Sequence, residues 1–232
     1  MFIVVKKKNI ILVFTAILLV LALTGTGIAL SQTKVFAEQK KYVVVIDAGH
    51  GGADGGVTGK NGLVEAELNL MIAKTLEEKL SGLDFRVVMT RKDEKGLYGD
   101  SLDNFKARDF AARKKIITDA DPDALISIHA NKFPQSEARR GIQVFYNPAS
   151  EEGKELAVCL QDSLNALNEK YVGKTFSPLK GEYFMLNCTK KPSVIVECGF
   201  LSSAEDEKLL ATSEYREEIA DAITIGLTDY YK

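Results

Sequence analysis

Two histidines occur in the 232 residues, and each stands just past an apolar run of β type. His50 follows Y-V-V-V-I-D in D-A-G-H-G-G, and His129 follows A-L-I-S-I in S-I-H-A-N. A third apolar run, S-V-I-V, finishes on Glu197. Two imidazoles and a carboxylate at strand ends can form the open three-ligand zinc site of a hydrolase. A lone histidine is more often a hydrogen-bonded core side chain; a pair at strand ends points to a metal. The third ligand should be an acid near the first histidine. After His50 a stretch containing Gly51, Gly52, Gly55, Gly56, Gly59 and Gly62 leads to a helical pattern whose first turn carries Glu65 and Glu67. Acids there also complement the helix dipole. Glu65 shares a face with Leu68 and Ile72 and points towards the sheet, whereas Glu67, on the line of Leu70 and Met71, is the second choice. The glycine stretch has neither G-x-G-x-x-G nor a G-K-[ST] ending, which argues against a phosphate cradle.

These side chains require a scaffold that brings strand ends together. Apolar or β-type runs predict strands over 42–47, 85–90, 124–129, 141–146 and the S-V-I-V-E run, with Tyr183 to Leu186 also strand-like. Helical spacing predicts helices over 64–80, 104–120, 151–168 (capped by Ser150) and 213–231, and Ser202 to Glu205 reads as a capping box opening a short helix. Fully apolar strands belong to sheets covered on both faces. The expected fold is a single layered α/β domain, with a mostly parallel or mixed central sheet flanked by helices and the zinc site at the carboxyl ends of the strands. Asp47, His50, His129 and Glu197 would then lie along one edge. Asp47 could orient a ligand imidazole, or end its strand by bonding backbone amides. Cys198 alternates with Glu197 and points to the core, which disfavours a cysteine nucleophile. Cys159, on the apolar face of its helix with Leu156, Leu160 and Leu164, is expected with Cys188 and Cys198 to be a small buried side chain.

Residues 1–40 are of another kind. Lys6, Lys7 and Lys8 precede an uncharged apolar stretch, Ile10 to Leu23, and V-F-A at 35–37 offers small residues for cleavage. The segment predicts export with cleavage after Ala37. The uncharged run from Asn9 to Thr33 is also long enough for a retained membrane anchor. Either way, residues 41–232 form the predicted catalytic domain, outside the cytoplasmic membrane, with membrane contact only through residues 1–37. Residues 1–37 carry four lysines and no acid, so the remainder has 26 basic against 32 acidic residues, a net charge of −6. That balance gives no basic face for nucleic acid. Three cysteines do not make a disulfide framework in an exported protein.

The motifs D-A-G-H-G-G-A-D-G-G, G-L-V-E-A-E-L-N-L, V-M-T-R, S-I-H-A-N and V-E-C-G-F-L-S-S occur in order from about residue 42 to the C-terminus. Together they resemble the zinc-dependent N-acetylmuramoyl-L-alanine amidases of the Amidase_3 class. K-K-P-S-V-I-V-E-C-G-F-L, the short catalytic domain and the amino-terminal export segment resemble most the CwlD-type germination-specific amidases of spore formers. The resemblance implies that His50, Glu65 and His129 hold one Zn2+ per chain, and that Glu197 is the catalytic acid/base, passing a water proton to the leaving nitrogen. The implied substrate is a peptidoglycan glycan strand with its stem peptide, cut between N-acetylmuramic acid and L-alanine. The implied setting is spore cortex maturation, with muramic lactam formation, and the spore envelope. Vegetative wall cutting and a non-catalytic zinc or wall-binding scaffold are the alternatives. Ala48 and Ser203 stand where many relatives have proline and asparagine. Arg91 and Arg113 match recurrent positions and could meet a stem-peptide carboxylate or form structural ion pairs. Asn131 could fix a turn or touch substrate. Tyr183 and Phe184 could line a groove, with core packing the default. With no spare helix to plug the site, control is expected from outside, by expression, location or an activating protein partner that the sequence does not identify.

Overall fold

In the computed structural model the described residues are 8, 15–20 and 41–232. The export expectation for residues 1–40 falls mostly outside them. Among the described residues no helix is long and apolar enough to cross a membrane. Lys40–Lys232 form one unit.

The chain runs β1 (Tyr42–Ala48), α1 (Glu65–Ser81), β2 (Phe85–Met89), α2 (Phe105–Ala120), β3 (Ala124–Asn131), β4 (Gln143–Tyr146), α3 (Glu151–Val172), β5 (Leu179–Lys180), a 3-10 turn (Met185–Asn187), β6 (Ser193–Phe200), α4 (Ala204–Leu210) and α5 (Ser213–Tyr230). The six strands form one mixed sheet in the order β2-β1-β3-β6-β4-β5. The first four are mutually parallel, β4 is antiparallel to β6, and β5 is parallel to β4. The register places Asp47 beside Ser127, and His129 beside Glu197. Helices cover both faces, so the β-branched runs of β1, β3 and β6 are apolar on both sides. On one face Val44, Ile46, Ile126, Ile128, Val194 and Val196 pack with α1, α3 and α5. On the other, Val45, Leu125 and Ile195 meet Ile117, Met185 and Leu186.

Three local expectations change. Tyr183 to Leu186 is not a strand; it leads into the 3-10 turn. Adjacent Met185 and Leu186 are both buried in one cluster, and a helical turn permits that where a strand would send them to opposite faces. The short helix α4 is capped by Ser203, whose hydroxyl accepts from the Asp206 amide. Ser202 is not the cap because its hydroxyl accepts from Phe133 N at 2.9 Å. Of the three thiols, Cys188 and Cys198 are buried and Cys159 only half-buried.

Candidate metal and catalytic centre

The parallel strands β1, β3 and β6 end side by side, and the prospective ligands collect at that edge. Backbone constraints bring the first histidine there. His50 adopts a left-handed φ of 62°, a region a non-glycine residue enters only when its surroundings impose it. Two buried arginines impose it. Arg113 donates to Ala48 O at 2.7 Å and to His50 O. Arg91 donates to Ala48 O at 2.9 Å, Gly49 O at 3.0 Å and Ala66 O at 2.7 Å, so it also ties the turn to the start of α1. Gly49 lies so close to the second histidine that a Cβ there would sit 2.3 Å from the His129 ring.

Glu65, the first residue of α1, completes the group. Its Oε1 lies 3.0 Å from His129 Nδ1 and 3.2 Å from His50 Nε2, and accepts from Ala130 N at 3.2 Å. Its Oε2 accepts from Val57 N at 2.9 Å. His50, Glu65 and His129 each present one donor atom, all within 4.8 Å of one another. Burial disfavours the Glu65 carboxylate, but the hydrogen bonds and charges of His129 and His50 hold it well below its usual range. Burial likewise lowers the His50 pKa, and the Glu65 and Asp54 carboxylates more than restore it. Two nitrogens and one oxygen converging in this way fit a divalent cation, and the donor set is that of catalytic zinc sites. Glu67 is exposed and takes no part.

Glu197 sits next to His129 across the β3–β6 ladder. Its Oε2 is buried with no hydrogen-bond partner among the described residues. Burial pushes its pKa up to about 7, the His129 and His50 charges opposing and the Glu65 charge assisting. A carboxyl group with one oxygen free, poised near neutrality and beside a candidate metal-ligand residue, can take and return a proton.

The remaining expected residues fall differently. Asp47 bonds neither an imidazole nor a backbone amide. It accepts from Thr90 Oγ1 (2.7 Å), Ser127 Oγ (2.6 Å) and Arg113 Nη1 (2.7 Å), beneath the site. Burial alone would raise its pKa; the Arg113 charge and these hydrogen bonds bring it below the ordinary range. Arg91 and Arg113 are 3% and 2% exposed, so neither is open to a stem-peptide carboxylate; both hold backbone. Asn131 ends β3, its Oδ1 accepting from Lys132 N at 2.8 Å. Tyr183 and Phe184 are not core residues but half-exposed. Phe184 meets the half-exposed Phe110 of α2 with ring centroids 4.9 Å apart. Phe110 itself lines a small cavity, about 50 Å³, with His50 and His129.

Two polar partners escaped the sequence reading. Asp54 Oδ2 lies 3.0 Å from His50 Nδ1, the carboxylate–histidine arrangement that orients a metal ligand. The signal was present as an acid four residues after His50 in a turn-forming stretch. Asn69, one turn beyond Glu65 on α1, donates to Gly49 O at 3.2 Å and lies 3.5 Å from Glu65 Oε1.

Residues 44–229 match the N-acetylmuramoyl-L-alanine amidase family, Amidase_3. The germination-specific N-acetylmuramoyl-L-alanine amidase of Bacillus subtilis (strain 168) is 32% identical over 192 residues, 82% of this chain and 79% of that protein. The CwlD amidase of Clostridioides difficile, solved in complex with the GerS lipoprotein, superposes with a TM-score of 0.77 at 32% identity, over 82% of this chain and 98% of that one. An N-acetylmuramoyl-L-alanine amidase from Clostridium difficile 630 gives a TM-score of 0.71 at 30% identity, over 82% and 96%. With the ordered motifs, the shared fold and three donors placed to hold a metal ion all in agreement, this chain belongs to the N-acetylmuramoyl-L-alanine amidase family and is an amidase acting on peptidoglycan.

Proposed function

We propose that the amidase is zinc-dependent, with one Zn2+ held by His50, Glu65 and His129, and that Glu197 is its catalytic acid/base. The single observation that carries this reading is the convergence of the three donor atoms within 4.8 Å beside a carboxyl group whose buried Oε2 has no partner among the described residues. Zinc bound there would supply a Lewis acid for the amide carbonyl and for water, whose pKa such a metal lowers to about 7. The protein's own groups supply the rest. Asp54 holds the His50 ring through Nδ1, leaving Nε2 directed at the cluster. Val57 N and Ala130 N fix the two oxygens of Glu65. Glu197 takes the proton from the attacking water and delivers it to the departing alanine nitrogen. The burial that raises the Glu197 pKa makes the carboxylate a stronger base towards water and so favours the first transfer.

The biological setting follows the germination-specific relative. We place the activity outside the cytoplasmic membrane, in the spore envelope, where removal of stem peptides precedes muramic lactam formation in the cortex. Similarity to the Bacillus subtilis germination-specific amidase supports this. The Clostridioides difficile relative in complex with a lipoprotein supports a protein partner as well. Residues 1–40 would export the chain as a signal peptide or hold it as an anchor.

Purified peptidoglycan supplied with wild type, chelated protein, zinc-restored protein and Glu197→Ala tests the reading. We expect new L-alanine amino termini that vanish on chelation, return with zinc and are absent with Glu197→Ala. Chelation-resistant release, or full activity in Glu197→Ala, would remove the proposed chemistry.

A further inference from the structure

Glu65 begins α1 without a conventional cap: the N-cap residue is Val64, whose side chain accepts nothing. The position of the ligand therefore depends on the segment leading into the helix. That segment is a tight hairpin. Thr58 bridges Val64, Gly59 N donates to Leu63 O at 2.9 Å, and Glu65 N donates to Val57 O at 2.8 Å. Val57 N returns a bond to Glu65 Oε2. The hairpin and the ligand carboxylate thus move together.

The tip of this hairpin is gripped from the other end of the chain. Glu207, in α4, is 1% exposed. Its Oε1 accepts from Asn61 N at 2.8 Å and Leu63 N at 3.3 Å, and its Oε2 lies 3.0 Å from Asn61 N and accepts from Asn61 Nδ2 at 2.9 Å. Gly59 permits the approach, since a Cβ there would lie 2.3 Å from Glu207 Oε1. These partners are neutral N–H groups in a stretch that pairs with no other strand of the sheet. A buried carboxylate is costly unless its lone pairs are used; here they are used on a single loop, 144 to 146 residues away in sequence. α4 follows directly on β6, the strand that carries Glu197. The carboxylate therefore joins the element bearing Glu197 to the one bearing Glu65.

We infer that Glu207 is a positioning residue: it latches the 58–64 hairpin so that Glu65 is set for the metal before the metal arrives. The inference rests on the zinc reading above. Apparent affinity scales with the fraction of protein in the competent arrangement. If release of the latch leaves Glu65 in place one-tenth of the time, the zinc dissociation constant rises tenfold. Asp206, its buried neighbour, is the control. It accepts from Gly141 N (2.9 Å), Phe200 N (2.9 Å) and Arg140 Nε (3.2 Å), and does not touch the hairpin.

The test uses the full-length chain and zinc alone, with chelator competition for the dissociation constant and thermal unfolding of the metal-free protein. Glu207→Gln, which turns amide hydrogens towards Asn61 N, is expected to raise the zinc dissociation constant about ten- to a hundredfold, with activity recovering at saturating zinc. Asp206→Asn is expected to lower the unfolding temperature and leave zinc affinity unchanged. Asn61→Ala, at an exposed position, removes one latch bond and keeps the test available should Glu207→Gln not fold; a rise of a few fold is expected. An unchanged dissociation constant in the folded latch variants, or an equal rise in Asp206→Asn, overturns the latch. Wild type that binds no zinc overturns the zinc reading and the latch with it, an outcome distinct from the other two.

Discussion

Gly49→Ala isolates the packing that places His129. Gly49 does not occupy the left-handed region, so alanine meets no backbone strain and the whole effect belongs to one added methyl. That methyl would lie 2.3 Å from both Cε1 and Nε2 of His129 and 2.7 Å from Nδ1. Carbon atoms pack at about 3.5–4.0 Å, so the ring must retreat by roughly 1 Å. Its contact with Glu65 Oε1, 3.0 Å in the native arrangement, cannot survive such a shift unaltered. A misplacement of about 1 Å is enough to cost on the order of 10²-fold in rate, and displacing a ligand should weaken zinc binding by at least as much as losing one of its supports, about 10- to 100-fold. We expect both losses in a protein whose secondary structure is intact. Zinc affinity by chelator competition and release of L-alanine amino termini from peptidoglycan provide the two readouts. Native zinc affinity and native activity in folded Gly49→Ala would refute the reasoning, because the ring would then have room the structure denies it.

Two further expectations concern groups beside the site. Asp47→Asn leaves Arg113 buried with Asp109 as its remaining counter-charge and should cost about 1–3 kcal/mol, read by urea unfolding at pH 7. Because the folded Asp47 pKa is depressed, its contribution is present above the unfolded carboxylate value, about 3.9, and is lost as pH falls through the lower folded value. The variant should accordingly lose less stability on acidification than wild type; parallel pH profiles would contradict the assignment. Cys198→Ala should keep activity and lose on the order of 1 kcal/mol of stability, since that thiol is fully buried in the core and burial pushes its pKa far up; an inactive but folded variant would argue for a nucleophilic cysteine.

Aperiodic apolar runs ending in polar residues were sufficient to read the α/β class and to place His50, His129 and Glu197 at one edge, because strand direction fixes which end of each run opens on the site. Helical phase favoured Glu65 over Glu67 and the family resemblance completed the choice: the first is 2% exposed and the second faces solvent. Both facts are local, and periodicity reports local geometry faithfully. Asp47, Arg91 and Arg113 each had a structural alternative in the sequence. The ion pair expected as the alternative for Arg113 is present, with Asp47 and Asp109, whereas Asp47 meets side chains and not the backbone amides expected. Nothing in the spacing of these three residues reveals that the arginines turn inward onto the carbonyls of residues 48–50.

Sequence by itself determined the chemistry available to this protein: which donors exist, which strand ends carry them and which helix face returns the third ligand. Tertiary structure decided how those donors are held. Asp54 on His50 and Asp47 on Arg113 are side-chain pairs that only the fold brings together. Arg91 and Arg113 on the carbonyls of residues 48–50, Asn69 on Gly49 O and the Glu207 latch join side chains to backbone carbonyls and amides. Such bonds depend on where loops pass in space. A sequence records the identity of the side chain, but the partner is a peptide group that every residue possesses, so no residue type marks it in advance.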